Sequence, residues 1–139
     1  MLGWLAGGAH PVSTEPRALF GHEDYRFTFE LVLDGLAVGF LALVQFTTVM
    51  VMRFSRVYLH REPGFQRFFG TVLLFQSAMY LLTVAGNLDL MFAAWEMVGL
   101  SSFLLIAFYR ERQSAVRNAL KTYSVYRVAD VGMVLAACL

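Results

Sequence analysis

The chain is poor in charge. Of its 139 residues, only 15% are Asp, Glu, Lys or Arg, against roughly 25% in soluble domains. That deficit argues against a water-facing globular surface. Cysteine is nearly absent: Cys138 stands alone, which excludes an internal disulfide and leaves the redox compartment unread. The three histidines, His10, His22 and His60, are scattered over expected loops, and none has metal-ligand spacing with a carboxylate or the cysteine. No glycine-rich phosphate loop, hydrolytic triad or redox-cofactor cage is recognisable, so neither a cofactor nor a metal is expected. A net charge of +1 without a basic cluster gives no sign of nucleic acid. There is no internal repeat and no low-complexity tract. Met1–Ala9 is apolar but lacks the basic start of a signal peptide, and Pro11 and Pro16 interrupt any continuation. It reads as an interfacial or loop segment, with Trp4 at the headgroup boundary.

What the chain has instead is apolar sequence in runs. Hydrophobic residues make up 58% and the mean hydropathy is +0.59. Uncharged runs of about 18 residues or more read as bilayer spans. The expectation is an all-α integral membrane protein of about four transmembrane helices, preceded by a short extracytoplasmic strand or loop segment. The expected division is 1–30 for that segment and 31–139 for the transmembrane part. Within 25–30, the aromatic/polar alternation of Tyr25, Arg26, Phe27, Thr28, Phe29 and Glu30 predicts a strand outside the hydrocarbon. Spans are expected at Leu31–Met52, Phe68–Ala85, Leu88–Tyr109 and from Ser114 to Leu139. Gly86-Asn87 predicts a tight turn that sets the third span antiparallel beside the second. Asp34, at the outer edge of the first span, reads as a helix cap or an interfacial group. Gly35 and Gly39 form a GxxxG that permits close helix contact.

The basic residues orient these spans. Loops 53–67 and 110–121 are rich in arginine and lysine, whereas the turn at 86–89 has none. The positive-inside rule places both basic loops in the cytoplasm, and the N-terminal segment and the 86–89 turn outside.

Three charges fall where hydrocarbon is expected: Glu96, Arg127 and Asp130. At about 1.5 Å per residue, Glu96 lies on the order of 12 Å from the outer end of its helix, near the midplane. Each such charge costs about 2.5–3.5 kcal/mol at a helix centre on insertion scales, so it is retained mainly when paired, hydrated or functional. Arg127 and Asp130 share a face at three-residue spacing and can pair. Tyr123 and Tyr126 add hydroxyls on the same side. Glu96 has no partner in its own helix and needs a cation from another one, or else its proton. An interhelical clamp and an element of a proton path are both open for the Arg127–Asp130 pair. Lys121 sits near the cytoplasmic boundary, where its amine can snorkel to water.

The stretch from Trp95 to Tyr109, WEMVGLSSFLLIAFY, resembles a signature of the largest antiporter-like subunit of complex I, the L subunit in bacteria, which multi-subunit cation/proton antiporters share. KTYSVYRVADVG, from Lys121 to Gly132, resembles another helix of that family, with Ala129 where glycine is usual. LVLDGLAV at 31–38 and SRVYLHREPGFQRFF at 55–69 match it in order and spacing. Four motifs in sequence make the resemblance specific over roughly residues 25–139. It implies that the chain corresponds to the family's third to sixth helices, the first two and everything after the sixth lying outside these 139 residues. It also implies that Glu96 belongs to a proton half-channel and pairs there with a lysine of a later helix. Arg127 and Asp130 would then form a charge pair linked to that network.

The function so implied is that of a membrane subunit, or a fragment of one, of a proton-translocating NADH:quinone oxidoreductase. It would carry protons without redox chemistry, as an electron-transport-chain translocase component among other membrane subunits. The expected location is the inner (cytoplasmic) membrane of a bacterium, as a multi-pass protein. The proton-translocation residues would be Glu96, Arg127, Asp130 and Lys121. Two alternatives stand beside it: a subunit of a cation/proton antiporter or proton-coupled inorganic-carbon transporter, and a structural helical module or nonfunctional remnant.

Overall fold

The structure is a computed structural model that describes residues 12–14, 17–22 and 25–138, with side chains for 12–14 and 28–136. The expectations for residues 1–9, and for the side chains of His10 and His22, lie outside the described residues.

Among the described residues, four strands precede four helices. Strands β1 (Val12–Ser13) and β4 (Val32–Leu33) pair antiparallel, as do β2 (Arg17–His22) and β3 (Tyr25–Phe29). The strand predicted at 25–30 is therefore present as one arm of a hairpin, with a register irregularity between Ala18 and Phe20. The helices are α1 (Gly35–Tyr58), α2 (Phe65–Val84), α3 (Leu88–Ile106) and α4 (Gln113–Cys138).

Helix boundaries follow local chemistry. Asp34 caps α1: its Oδ1 accepts from the backbone N–H of Ala37 at 2.6 Å, satisfying an otherwise orphaned donor. α1 continues past the predicted end at Met52 to Tyr58. Arg53 and Arg56 set the predicted end of the span, and an arginine does not stop a helix. Pro63-Gly64 breaks the chain before α2; Gly64 sits at φ 104°, a conformation that suits glycine. Asn87 caps α3 by accepting from Leu90 N at 2.8 Å. α3 closes at Ile106, three residues short of Tyr109, as the backbone tightens through Ala107 and Phe108.

Three of the helices, α1, α2 and α3, are long and apolar enough to cross a membrane. α4 is longer still at 26 residues, about 39 Å at 1.5 Å per residue. It carries Arg117, Lys121, Arg127 and Asp130, so its polarity sets it apart from the other three. It packs along α3, and small residues line the helix contacts: Ala78, Ala94, Ser101 and Ala119 are fully buried. Small side chains let backbones approach, which is how helices associate in lipid. The GxxxG of α1 is not such a contact, because the Cβ positions of Gly35 and Gly39 meet nothing within 4 Å.

The two ends of the bundle differ as the charge pattern predicts. The segment before α1 is tied to the α2–α3 turn. Gly86 N donates to Glu30 O at 2.9 Å, Leu31 bridges Ala85, and Asn87 Nδ2 donates to Thr28 O. At the opposite end Phe108 packs edge-on against Phe68, with centroids 5.4 Å apart, and brings the two basic loops together.

Candidate functional site

The charged residues of the apolar interior converge between α3 and α4. Glu96, on the fourth-helix side of α3, receives Arg127 from α4: the guanidinium Nη1 lies 2.7 Å from Oε2 and 2.8 Å from Oε1. Asp130, three residues further along α4, is 3.7 Å from the same nitrogen. The interhelical pair is thus the tighter one. Spacing within a single helix points only to Arg127–Asp130; the cation that Glu96 requires comes from the neighbouring helix.

Two aromatic residues hold this arrangement. Arg127 Nε donates to Tyr123 Oη at 2.9 Å, and its guanidinium carbon stands 4.9 Å from the Tyr123 ring centroid. Tyr123 packs in turn on Phe103 at 5.3 Å. Asp130, with its side chain only 12% exposed, accepts from the indole Nε1 of Trp95 at 3.1 Å. Both carboxylates therefore have a donor, as buried charges require. In the sequence Trp95 stands only as the first residue of a motif; the signal for its role is an indole N–H next to Glu96 in an apolar run, where a donor seeks an acceptor.

Between these side chains lies a crevice of about 10 Å³, also lined by Gly99, Leu100 and Tyr126. That is about the least volume that admits one water molecule. Tyr126 shares the side of Tyr123, as its spacing predicts, but lines the crevice without a hydrogen bond to the cluster. Lys121 is exposed, and lies six residues before Arg127 on α4, about 9 Å along the axis. The structure brings Glu96, Arg127 and Asp130 together and leaves Lys121 apart.

A second polar group joins α1 to α2. Tyr80 Oη and Gln76 Nε2 both donate to Gln45 Oε1, and Gln76 also donates to Tyr80 Oη at 2.9 Å. Sequence reading passed over it because neither glutamine carries charge, although Gln76 and Tyr80 share a helix face.

Residues 20–69 match the family described as NADH-ubiquinone oxidoreductase (complex I), chain 5 N-terminus. Residues 85–139 match the family described as NADH:quinone oxidoreductase/Mrp antiporter, TM. Together the two matches take in about three quarters of the chain, in the order those segments carry. Over both segments the chain is similar to the membrane subunits that these two families describe. It is 39% identical to NADH-quinone oxidoreductase subunit L of Escherichia coli (strain K12) over 113 residues, which is 81% of this chain and 18% of that protein. The subunit L of Pseudomonas aeruginosa is 39% identical over 110 residues, 79% of this chain and 18% of its own length. NADH-ubiquinone oxidoreductase chain 5 of Rattus norvegicus is 37% identical over 111 residues, 80% and 18% respectively. The chain thus spans about a fifth of the length of the subunit L relatives it matches. The family match includes the whole Glu96–Arg127–Asp130 cluster.

Proposed function

We propose that this chain supplies part of the proton path in the membrane arm of a proton-translocating NADH:quinone oxidoreductase. The observation that carries the reading is Glu96 held by Arg127 across two helices, with Asp130 poised on the same guanidinium. A carboxylate that shares one cation of a neighbouring helix with a second carboxylate is a site where proton uptake and ion-pair rearrangement can be coupled. Glu96 acts as the protonatable relay, and Arg127–Asp130 is the charge pair that tunes it. Lys121 takes part from the cytoplasmic side. The segment before α1 lies outside, residues 31–139 form the translocation part, and the membrane is the inner membrane of a bacterium. The names of the bacterial relatives support that placement. The partners are other membrane subunits of the same assembly, and oxidation of NADH takes place elsewhere in it.

A second reading, a cation/proton antiporter subunit, is favoured by one observation: the family matching residues 85–139 carries the Mrp antiporter in its description. Inverted membrane vesicles distinguish the two. An NADH-driven proton gradient that disappears on deletion of the gene supports the leading reading. An unchanged gradient, together with lost sodium tolerance of the deletion strain, transfers the assignment to the antiporter.

A further inference from the structure

The basic end of the bundle holds a cavity that the proton path does not use. It measures about 500 Å³ and lies where the α1–α2 and α3–α4 loops meet. Arg67, Arg110 and Arg112 line it, together with Glu62, Glu111 and Tyr109. Neither glutamate ion-pairs with these arginines among the described residues. Arg112 instead stands 5.4 Å from the Tyr109 ring. The missing side chain at Gly64 leaves room for Arg67, whose Nη2 would lie 3.3 Å from a Cβ there. The three guanidiniums are exposed and outnumber the two acids of the same cavity.

A second cavity, about 140 Å³, continues from the first between α2 and α3. It shares Arg67, Phe108 and Arg110 with the first, and is otherwise lined by Phe68, Leu104, Leu105, Ala107 and the single polar side chain of Thr71. Basic groups at the membrane edge thus give way to an apolar groove running into the span. A soluble anion has no use for the groove, and a neutral lipid has none for the arginines.

We infer that this two-part cavity is a binding site for an anionic phospholipid of the cytoplasmic leaflet. Its phosphate sits among Arg67, Arg110 and Arg112, and an acyl chain lies in the α2–α3 groove. Guanidiniums match phosphate oxygens in bidentate geometry, and basic pockets between spans on the cytoplasmic side suit acidic headgroups. Glu62 and Glu111 hold the affinity to a moderate level, so the lipid exchanges.

Native mass spectrometry of the protein, purified from its membrane in mild detergent and exposed to equal phosphatidylglycerol and phosphatidylcholine, tests the site. The wild type should retain the anionic lipid about fivefold or more over the zwitterionic one, since each arginine near the surface contributes about that factor. The triple substitution Arg67→Gln, Arg110→Gln and Arg112→Gln should abolish the preference. Replacing Glu62→Gln and Glu111→Gln should strengthen it, a gain that a misfolded variant cannot produce. Equal retention of both lipids by the wild type overturns the proposal. So does displacement of the lipid by millimolar inorganic phosphate, which would assign the arginines to a soluble anion.

Discussion

Arg127 of α4 stands 2.7 Å from Glu96 of α3, yet 3.7 Å from Asp130 in its own helix. One cation thus serves two carboxylates on different helices, and the interhelical contact is the closer. Tyr123 fixes the base of the guanidinium, while Nη1 is the atom that faces both acids. A displacement of about an ångström would exchange the two partners. That geometry is what the proposed role in proton transfer rests on.

Arg127→Gln should therefore impair the chain in two ways. Coupled proton movement falls, and the folded chain loses stability because Glu96 and Asp130 are left in the bundle without their cation. Adding Glu96→Gln to that variant should recover part of the stability but none of the proton movement. Thermal aggregation of the detergent-solubilised single and double variants checks this. Additive losses would show that the pair is not coupled.

Trp95→Phe keeps an aromatic ring but removes the indole donor to Asp130. Hydrogen bonds between membrane helices average about 0.6 kcal/mol and reach about 1.7 kcal/mol. The expected cost is near the upper figure, since the acceptor is a carboxylate. Proton movement should slow severalfold without stopping. Urea or heat unfolding in detergent, alongside vesicle acidification, measures both effects.

Gly86→Ala should loosen the outer end. A Cβ there would lie 2.8 Å from Glu30 Cγ, 2.9 Å from Val32 Cγ2 and 3.0 Å from the Glu30 carbonyl oxygen. The backbone contact cannot relax by a rotamer change, so the strand segment must shift away from the α2–α3 turn. A cost of about 1–3 kcal/mol is expected, as for other overpacked sites. Faster proteolysis within residues 28–33 is the accompanying sign.

Much of this architecture is legible in the sequence, for identifiable reasons. Uncharged runs mark the spans, Asp34 and Asn87 mark helix starts, and Gly86-Asn87 marks the turn. Arginines misplace the end of α1 because they signal the bilayer boundary, which is not where the helix stops. The members Glu96, Arg127 and Asp130 are visible because charge in an apolar run is costly. Their pairing is not, since three- and four-residue spacing speaks only of one helix at a time. The Gln45–Gln76–Tyr80 group escapes for a related reason: amides and phenols cost too little to stand out, and their partners lie 31 and 35 residues apart. Gly35 and Gly39 permit a close helix contact, but among the described residues nothing lies within 4 Å of their Cβ positions.

The central claim is that Glu96 carries protons. Glu96→Gln preserves shape and hydrogen-bonding capacity while removing the titratable carboxyl, so the protein should accumulate and assemble at wild-type levels. NADH-driven acidification of inverted vesicles, measured against the NADH oxidation rate, is the direct test. Loss of the proton movement that depends on this chain, with assembly intact, is the predicted result. Wild-type acidification per NADH oxidised would contradict the assignment and leave the Glu96–Arg127 pair as an interhelical clamp.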